Sequence, residues 1–76
     1  MNKVVLITGG SSGIGKSIGE FLHQRGFVVY GTSRNPERVL NSVFPLVALD
    51  VRDADSIHAA VAKVIAASGR LDIVIN

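Results

Sequence analysis

The stretch LITGGSSGIGKS, residues 6–17, joins an apolar run to an amphipathic pattern through a loop of glycines and serines. The run before the glycines, Val4–Ile7, is rich in β-branched residues and is typical of a buried strand. After the loop, apolar residues recur at helical spacing and form one stripe: Ile14, Ile18, Phe21 and Leu22. The pattern predicts a helix from residue 13 to about residue 25, with Gly26 as its C-terminal cap.

Two nucleotide-binding patterns fit this loop. From Gly10 it reads G-x-x-x-x-G-K-S/T, the phosphate loop of ATP- and GTP-hydrolysing proteins, in which Lys16 contacts phosphate and Ser17 holds Mg²⁺. From Thr8 it reads T-G-x-x-x-G-I-G, a dinucleotide-binding loop. Both patterns place phosphate over free backbone N–H groups at a helix N-terminus. The first also requires an acidic residue after another strand, which Asp50 supplies, so the loop alone leaves both open.

The rest of the chain alternates between strand and helix patterns. Apolar runs at residues 27–30, 46–49 and 71–76 predict three further strands. Between them, Asn35 and Pro36 predict the start of a short helix, and Asp53 or Asp55 is expected to cap a longer one. Strands that alternate with helices form a parallel sheet with right-handed crossovers and helices on both faces. The chain is therefore predicted to be one α/β unit.

Composition limits the classes of protein to which the chain belongs. Of its 76 residues, 47% are hydrophobic and 18% are charged, which indicates a folded core rather than disorder. The net charge of +2 comes from scattered basic residues, so we expect no nucleic-acid partner. No segment has the length of a membrane span, so we expect a soluble protein without a membrane partner. The absence of cysteine excludes disulfides and thiolate metal sites and fits a cytoplasmic location.

Four motifs follow one another at the predicted carboxyl ends of the strands: TGGSSGIG, TSRN, LDVRD and LDIVIN. In an open α/β sheet, ligands bind at this edge. Together the motifs resemble the short-chain dehydrogenase/reductase family over essentially the whole chain, in the branch whose loop reads T-G-x-x-x-G-I-G. The resemblance implies the N-terminal part of a doubly wound parallel sheet, the Rossmann dinucleotide-binding fold, with strand order 3-2-1-4. It also implies that Lys16 is an exposed helix residue without a catalytic role.

The resemblance assigns cofactor-binding roles to residues at each of these strand ends. The pyrophosphate of the dinucleotide is expected over residues 9–15 and the adenine beside Asp50 and Val51, while Asn76 approaches the adenosine ribose. The pyrophosphate loop contributes glycines, two serines and a backbone amide: Gly9, Ser11, Ser12, Gly13, Ile14 and Gly15.

The end of the second strand indicates which dinucleotide is bound. Where the family carries an acidic residue that selects NAD, this chain has Ser33, followed by Arg34. A neutral hydroxyl beside a guanidinium suits the 2′-phosphate of NADP(H), because arginine offers forked, charge-assisted donors. Ser12 departs from the pattern, since many NADP-preferring relatives carry a basic residue just before the second glycine. We therefore expect NADP(H) to be preferred over NAD(H).

The family's catalytic residues are not expected within the chain. Its tyrosine and lysine are spaced Y-x-x-x-K, whereas the single tyrosine here, Tyr30, is followed at that spacing by Arg34. We therefore expect residues 1–76 to be a partial NAD(P)-binding domain, an N-terminal piece without catalytic or metal-ligating residues. The parent protein is expected to be a homo-oligomeric oxidoreductase that acts on a small carbonyl or alcohol substrate. Two alternatives stay open: a non-catalytic regulatory protein that binds a dinucleotide, and a phosphate-loop nucleotidase.

Overall fold

Four strands and two α-helices alternate along the chain in a computed structural model, which describes residues 2–76. The strands are β1 (Val4–Ile7), β2 (Val28–Ser33), β3 (Leu46–Ala48) and β4 (Ile73–Ile75). The helices are α1 (Gly13–Gln24) and α2 (Ala54–Ser68), and a 3-10 helix at Pro36–Arg38 lies between β2 and β3. This order confirms the alternation predicted from the sequence.

All four strands run parallel in one sheet, in the order β3-β2-β1-β4. In the central strand β1, Val4 pairs with Val28 of β2, and Val5 pairs with Ile73 of β4. Because all four strands run in the same direction, their carboxyl ends lie at one edge of the sheet. The predicted order 3-2-1-4 is confirmed.

Successive residues of β1 face opposite sides of the sheet and enter two separate cores. On one side, Val4 belongs to a buried cluster with Val64 of α2. On the other side, Val5 belongs to a cluster with Phe44, against which Ile18 of α1 packs. Each fully buried aliphatic side chain of this kind contributes about 1.5–3 kcal/mol to stability. The sheet is therefore covered by α2 on one face and by α1 on the other, as a doubly wound fold requires.

Three strands differ in their bounds from the sequence prediction: β3 ends one residue early, at Ala48, and polar residues set the changed ends of β2 and β4. β2 extends beyond the predicted run to Ser33, because Thr32 and Ser33 pair with β3. β4 begins at Ile73, later than predicted. At this end of β1, the Asp72 carboxylate accepts a hydrogen bond from Val4 N–H at 2.8 Å, in place of a backbone carbonyl. The apolar pattern therefore located these strands but not their ends.

The helix boundaries follow local capping chemistry. Of the two candidates for the cap of α2, Asp53 takes the role, since its carboxylate accepts hydrogen bonds from the backbone N–H groups of Asp55 and Ser56. The C-cap of α1 is Arg25, so the predicted cap Gly26 is the residue after it, and Gly69 caps α2. Within residues 2–76, neither helix combines the length and the apolar character needed to cross a membrane.

Candidate functional site

The loop between β1 and α1 turns sharply because glycines occupy positions where a side chain would be strained or obstructed. Gly9 and Gly13 have left-handed backbone conformations, with φ of 72° and 60°. A Cβ atom at Gly15 would lie 2.6 Å from the Gly9 carbonyl oxygen. A Cβ atom at Gly10 would lie 2.9 Å from Gly31 Cα of β2. The loop therefore lies directly against both α1 and β2.

The N-terminus of α1 leaves its first backbone amides without a side-chain cap. Ser12 occupies the N-cap position, yet its side chain makes no capping hydrogen bond, and the first turn contains no acidic residue. At the same position of α2, the Asp53 carboxylate performs this role. Uncapped N–H groups and the helix dipole favour an anion such as phosphate. The geometry of residues 9–15 therefore suits a bound phosphate.

A cleft of about 460 Å³ opens beside this loop at the carboxyl edge of the sheet. Its lining comes from the loop, the end of β2 and the segment after β3: Gly9, Ser11, Ser12, Thr32, Ser33, Arg34, Asn35, Leu49 and Val51. Of the predicted site residues, the cleft brings together Gly9, Ser11, Ser12, Ser33, Arg34 and Val51. The other predicted residues lie outside its lining: Gly13, Ile14, Gly15, Asp50 and Asn76.

Thr32 is a residue of this cleft that sequence reasoning did not identify. Its side chain is 2% exposed, and its Oγ1 accepts a hydrogen bond from Gly9 N–H at 3.0 Å. A buried hydroxyl is costly unless it is hydrogen-bonded. The bond therefore stabilises Thr32 and at the same time ties the glycine loop to the end of β2. The one signal in the sequence is a polar residue directly after the apolar part of the strand.

Ser33 and Arg34 place hydrogen-bond donors at the end of β2. The Ser33 Oγ accepts a hydrogen bond from Asn35 N–H at 3.2 Å, so its own O–H remains available as a donor. Arg34 is exposed and lines the cleft. Asn35, predicted as a helix cap, makes no side-chain capping hydrogen bond and lines the cleft instead. This end of the cleft therefore suits a negatively charged group.

The carboxylate of Asp50 is paired with Arg52, two residues further along the chain. Its Oδ1 accepts hydrogen bonds from the backbone N–H and Nε of Arg52, both at 3.0 Å, and its Oδ2 accepts one from Nη2 at 2.9 Å. The side-chain hydrogen bonds from Arg52 are the main cause that lowers the pKa of Asp50 to about 2. The backbone N–H of Asp50 donates to Ser56 Oγ of α2 at 2.8 Å. Asp50 is thus an ionised carboxylate with an anchored backbone.

Asn76 lies beside the first residue of the glycine loop. Its Oδ1 accepts a hydrogen bond from the Thr8 hydroxyl at 3.2 Å. The backbone N–H of Thr8 donates to the Ile75 carbonyl at 2.9 Å, which continues the pairing of β1 with β4 up to the loop. The end of β4 and the start of the loop are therefore adjacent at the edge of the sheet where the cleft opens.

A phosphate-loop hydrolase would use Lys16 to contact phosphate and Asp50 to hold a metal ion, but neither residue lines the cleft. Lys16 is half-buried and not exposed as expected, and its backbone N–H donates to the Ser12 carbonyl as part of the first turn of α1. Asp50, the acid available for a metal, is paired with Arg52. In the part of the chain that the structure describes, no group of three or more histidine or acidic side chains is placed to hold a metal ion.

Comparison with known proteins identifies the family of the chain. A family model described as short chain dehydrogenase matches residues 3–76. The chain is 43% identical over 74 residues to a 3-ketodihydrosphingosine reductase of Bacteroides thetaiotaomicron. It is 35% identical over 80 residues to a 3-oxoacyl-(acyl-carrier-protein) reductase of Vibrio harveyi. Both alignments cover 97% of this chain but only 27% and 33% of the two relatives, so the chain spans about three-tenths of their length.

Solved structures match the fold along nearly the whole chain. A short-chain dehydrogenase from Streptomyces avermitilis matches with a TM-score of 0.87 and 36% identity, covering 97% of this chain and 29% of that one. A 3-ketoacyl-(acyl-carrier-protein) reductase from Brucella melitensis, complexed with NADH, matches with a TM-score of 0.84 and 31% identity, covering 95% and 32%. The chain therefore belongs to the short-chain dehydrogenase/reductase family and has its Rossmann dinucleotide-binding fold.

Proposed function

We propose that this chain is the NADP(H)-binding part of a short-chain oxidoreductase, which transfers hydride between NADP(H) and a carbonyl or alcohol substrate. The observation that carries the proposal is the cleft in which the glycine loop meets Ser33 and Arg34. The bound cofactor supplies or accepts the hydride, and the residues of this chain hold its adenosine half. The family resemblance further suggests that the intact protein is a cytoplasmic homo-oligomer, and we include this in the proposal.

The pyrophosphate is proposed to bind over residues 9–15. The absence of a side chain at Gly15 lets the backbone of Gly9 lie against α1, which brings the loop amides close to the ligand. The proposed donors are the uncapped amides at the start of α1, including that of Ile14. Ser11 and Ser12 supply hydroxyls from the wall of the cleft. Phosphate oxygens accept these hydrogen bonds, and the helix dipole favours their charge.

The 2′-phosphate of NADP(H) is proposed to bind at Ser33 and Arg34. The Ser33 hydroxyl already accepts from Asn35 N–H, so its proton is available to an acceptor such as a phosphate oxygen. The exposed guanidinium of Arg34 supplies positive charge and paired donors. The Brucella relative was solved with NADH, so the preference for NADP(H) rests on these two residues and not on the relatives.

The adenine is proposed to bind beside Asp50 and Val51, with its ribose near Asn76. Val51 lines the cleft and is 68% exposed, which leaves its surface available to the adenine ring. A carboxylate has about four acceptor positions. The hydrogen bonds from Arg52 occupy most of them, and the remaining capacity of Asp50, on Oδ2, is available to the adenine amino group.

Titration of the intact protein with NADPH and with NADH, followed by cofactor fluorescence, tests the proposal. We expect NADPH to bind about tenfold more tightly than NADH, a difference of about 1.4 kcal/mol. Arg34→Ala should raise the Kd for NADPH about tenfold and change the Kd for NADH less than about twofold. Arg38→Ala is the matched control, because Arg38 is an exposed arginine of the 3-10 helix outside the cleft lining. Equal wild-type affinities would contradict the preference.

Two further measurements separate the alternative functions. Oxidation of NADPH in the presence of a panel of ketones and aldehydes supports the oxidoreductase, whereas binding without any oxidation would indicate a non-catalytic dinucleotide-binding protein. Binding of ATP–Mg²⁺ that is abolished by Lys16→Ala, with no response to NADPH, would indicate a phosphate-loop nucleotidase and overturn the proposal.

A further inference from the structure

Arg52 makes none of the cofactor contacts proposed above, but it forms an ion pair with Asp50, which is proposed to make one. Its Nη2 lies 2.9 Å from Asp50 Oδ2, and the two side chains are 73% and 33% exposed. Exposed ion pairs contribute little to stability. The main consequence of this pair is therefore that Arg52 neutralises the Asp50 carboxylate beside the cleft.

The segment that contains Asp50 is joined by a backbone hydrogen bond to the end of β2, where the 2′-phosphate is proposed to bind. The two residues that flank Asp50, Leu49 and Val51, both line the cleft. The backbone N–H of Leu49 donates to the Ser33 carbonyl at 3.0 Å, so the segment is joined to the end of β2. The pKa of Asp50 is lowered mainly by Arg52 and also, more weakly, by the charge of Arg34. The backbone connection and this weak interaction place the Asp50 charge within electrostatic range of Arg34.

The balance of charge at this end depends on Arg52. Arg34, Asp50 and Arg52 together carry one net positive charge, and the removal of Arg52 would leave none. Asp50 follows the third strand rather than the second, so it would act on a 2′-phosphate through its charge and not as the acid that binds the ribose hydroxyls of NAD. A phosphate monoester carries about 1.5–2 negative charges at neutral pH, so its binding is sensitive to a nearby carboxylate. An unpaired Asp50 would therefore act against NADP(H).

We propose that Arg52 is a specificity-determining residue, which pairs with Asp50 and so prevents that carboxylate from repelling the 2′-phosphate of NADP(H). The inference rests on the proposed function, since it concerns the same cleft and the same cofactor. Arg52 acts through Asp50 and is a positioning residue, because the bidentate pair also sets the orientation of the carboxylate that faces the adenine.

A double-mutant cycle in the intact protein tests this inference, with the ratio of the Kd for NADH to the Kd for NADPH as the readout. Arg52→Gln lowers this ratio about fivefold, as expected when one charge acts on a phosphate across solvent. Asp50→Asn raises the ratio, and the double variant Asp50→Asn/Arg52→Gln, in which these three positions again carry one net positive charge, returns it to about the wild-type value. Arg52→Lys retains the charge and therefore retains most of the wild-type ratio.

Arg70→Gln is the matched control for the loss of an arginine from an ion pair. Arg70 pairs with Asp72 at 2.7 Å at the opposite edge of the sheet, so the ratio stays at the wild-type value. An unchanged ratio in Arg52→Gln would overturn the inference. A wild-type ratio in Asp50→Asn would also overturn it, because the carboxylate would then exert no repulsion on the 2′-phosphate for Arg52 to offset. A wild-type ratio near one would instead refute the proposed preference itself, and the role of Arg52 with it.

Discussion

Replacement of Gly15 with alanine is expected to push the glycine loop away from α1. A Cβ atom at residue 15 would lie 2.6 Å from the Gly9 carbonyl oxygen and 3.3 Å from Gly10 Cα. Ordinary contacts of a Cβ atom begin at 3.4 Å, so the nearer atom must move by about 0.8 Å. Both obstructing atoms belong to the backbone, and no change of rotamer relieves the contact. The whole loop must therefore shift relative to the helix.

The expected effect on stability is smaller than the expected effect on binding. Alanine is favoured over glycine within a helix by about 0.5–1 kcal/mol, whereas overpacking costs about 1–3 kcal/mol. We therefore predict that Gly15→Ala lowers the free energy of unfolding by about 1–2 kcal/mol. A hydrogen bond to a charged group contributes about 1.5–3 kcal/mol. Loss of one such bond from the displaced loop to phosphate raises the Kd for NADPH about 10–100-fold.

Denaturant unfolding and calorimetric titration of NADPH measure these two effects. Gly69→Ala is the control, because Gly69 has φ of 79° and open space beside it, at the end of α2 and outside the cleft lining. The left-handed conformation makes alanine cost about 1 kcal/mol there, with no change in the Kd for NADPH. If Gly15→Ala weakened NADPH binding no more than Gly69→Ala does, the proposed contact between this loop and the pyrophosphate would be wrong.

Two other positions give independent predictions. Thr32→Val removes the acceptor of the Gly9 N–H at nearly constant volume. We expect about 1 kcal/mol less stability and an about fivefold higher Kd for NADPH. Thr32→Ser keeps the hydroxyl and therefore the Kd, although loss of the buried methyl group lowers its stability by about 1 kcal/mol. Calorimetric titration measures the Kd, and equal values for Thr32→Val and the wild type would refute the role of the hydroxyl. The hydrogen bond from Arg70 is the main cause that lowers the pKa of Asp72 below its ordinary value, and a second hydrogen bond, from Val4 N–H, acts in the same direction. The ionised Asp72 therefore stabilises the fold fully above about pH 4, and this contribution disappears as the pH falls through the lower native pKa. In pH-dependent unfolding, the stability difference between the wild type and Asp72→Asn should be constant above about pH 5 and shrink below about pH 4; parallel profiles would contradict this.

The sequence was sufficient to predict the order of the elements and the sheet, because these depend on patterns that residue types display directly. The β-branched run of Val4–Ile7 and the glycines after it identify β1 and its turn. The family resemblance then supplied the strand order, which pattern alone does not determine. The sharp turn of the loop was also predictable, since glycine readily adopts the left-handed conformation that Gly9 and Gly13 have.

The contacts that the sequence did not predict depend on how the folded chain brings two residues together. The bond from Gly9 N–H to Thr32 depends on how closely the loop lies against β2, which no local pattern records. The pairing of Asp50 with Arg52 depends on the turn after β3, because residues two apart in an extended strand point the same way without such a close contact. The predicted role of Asp50 toward adenine considered the carboxylate alone and did not include this partner.

The cofactor preference of a Ser33→Asp variant is the most direct measure of 2′-phosphate recognition at the end of β2. An aspartate can accept the Asn35 N–H as the Ser33 hydroxyl does, so the turn is retained while the donor is replaced by a negative charge. We predict that the ratio of NADPH to NADH affinity falls at least about tenfold, because the carboxylate repels the 2′-phosphate and accepts hydrogen bonds from the ribose hydroxyls. A ratio equal to that of the wild type would contradict the assignment of this cleft to NADP(H).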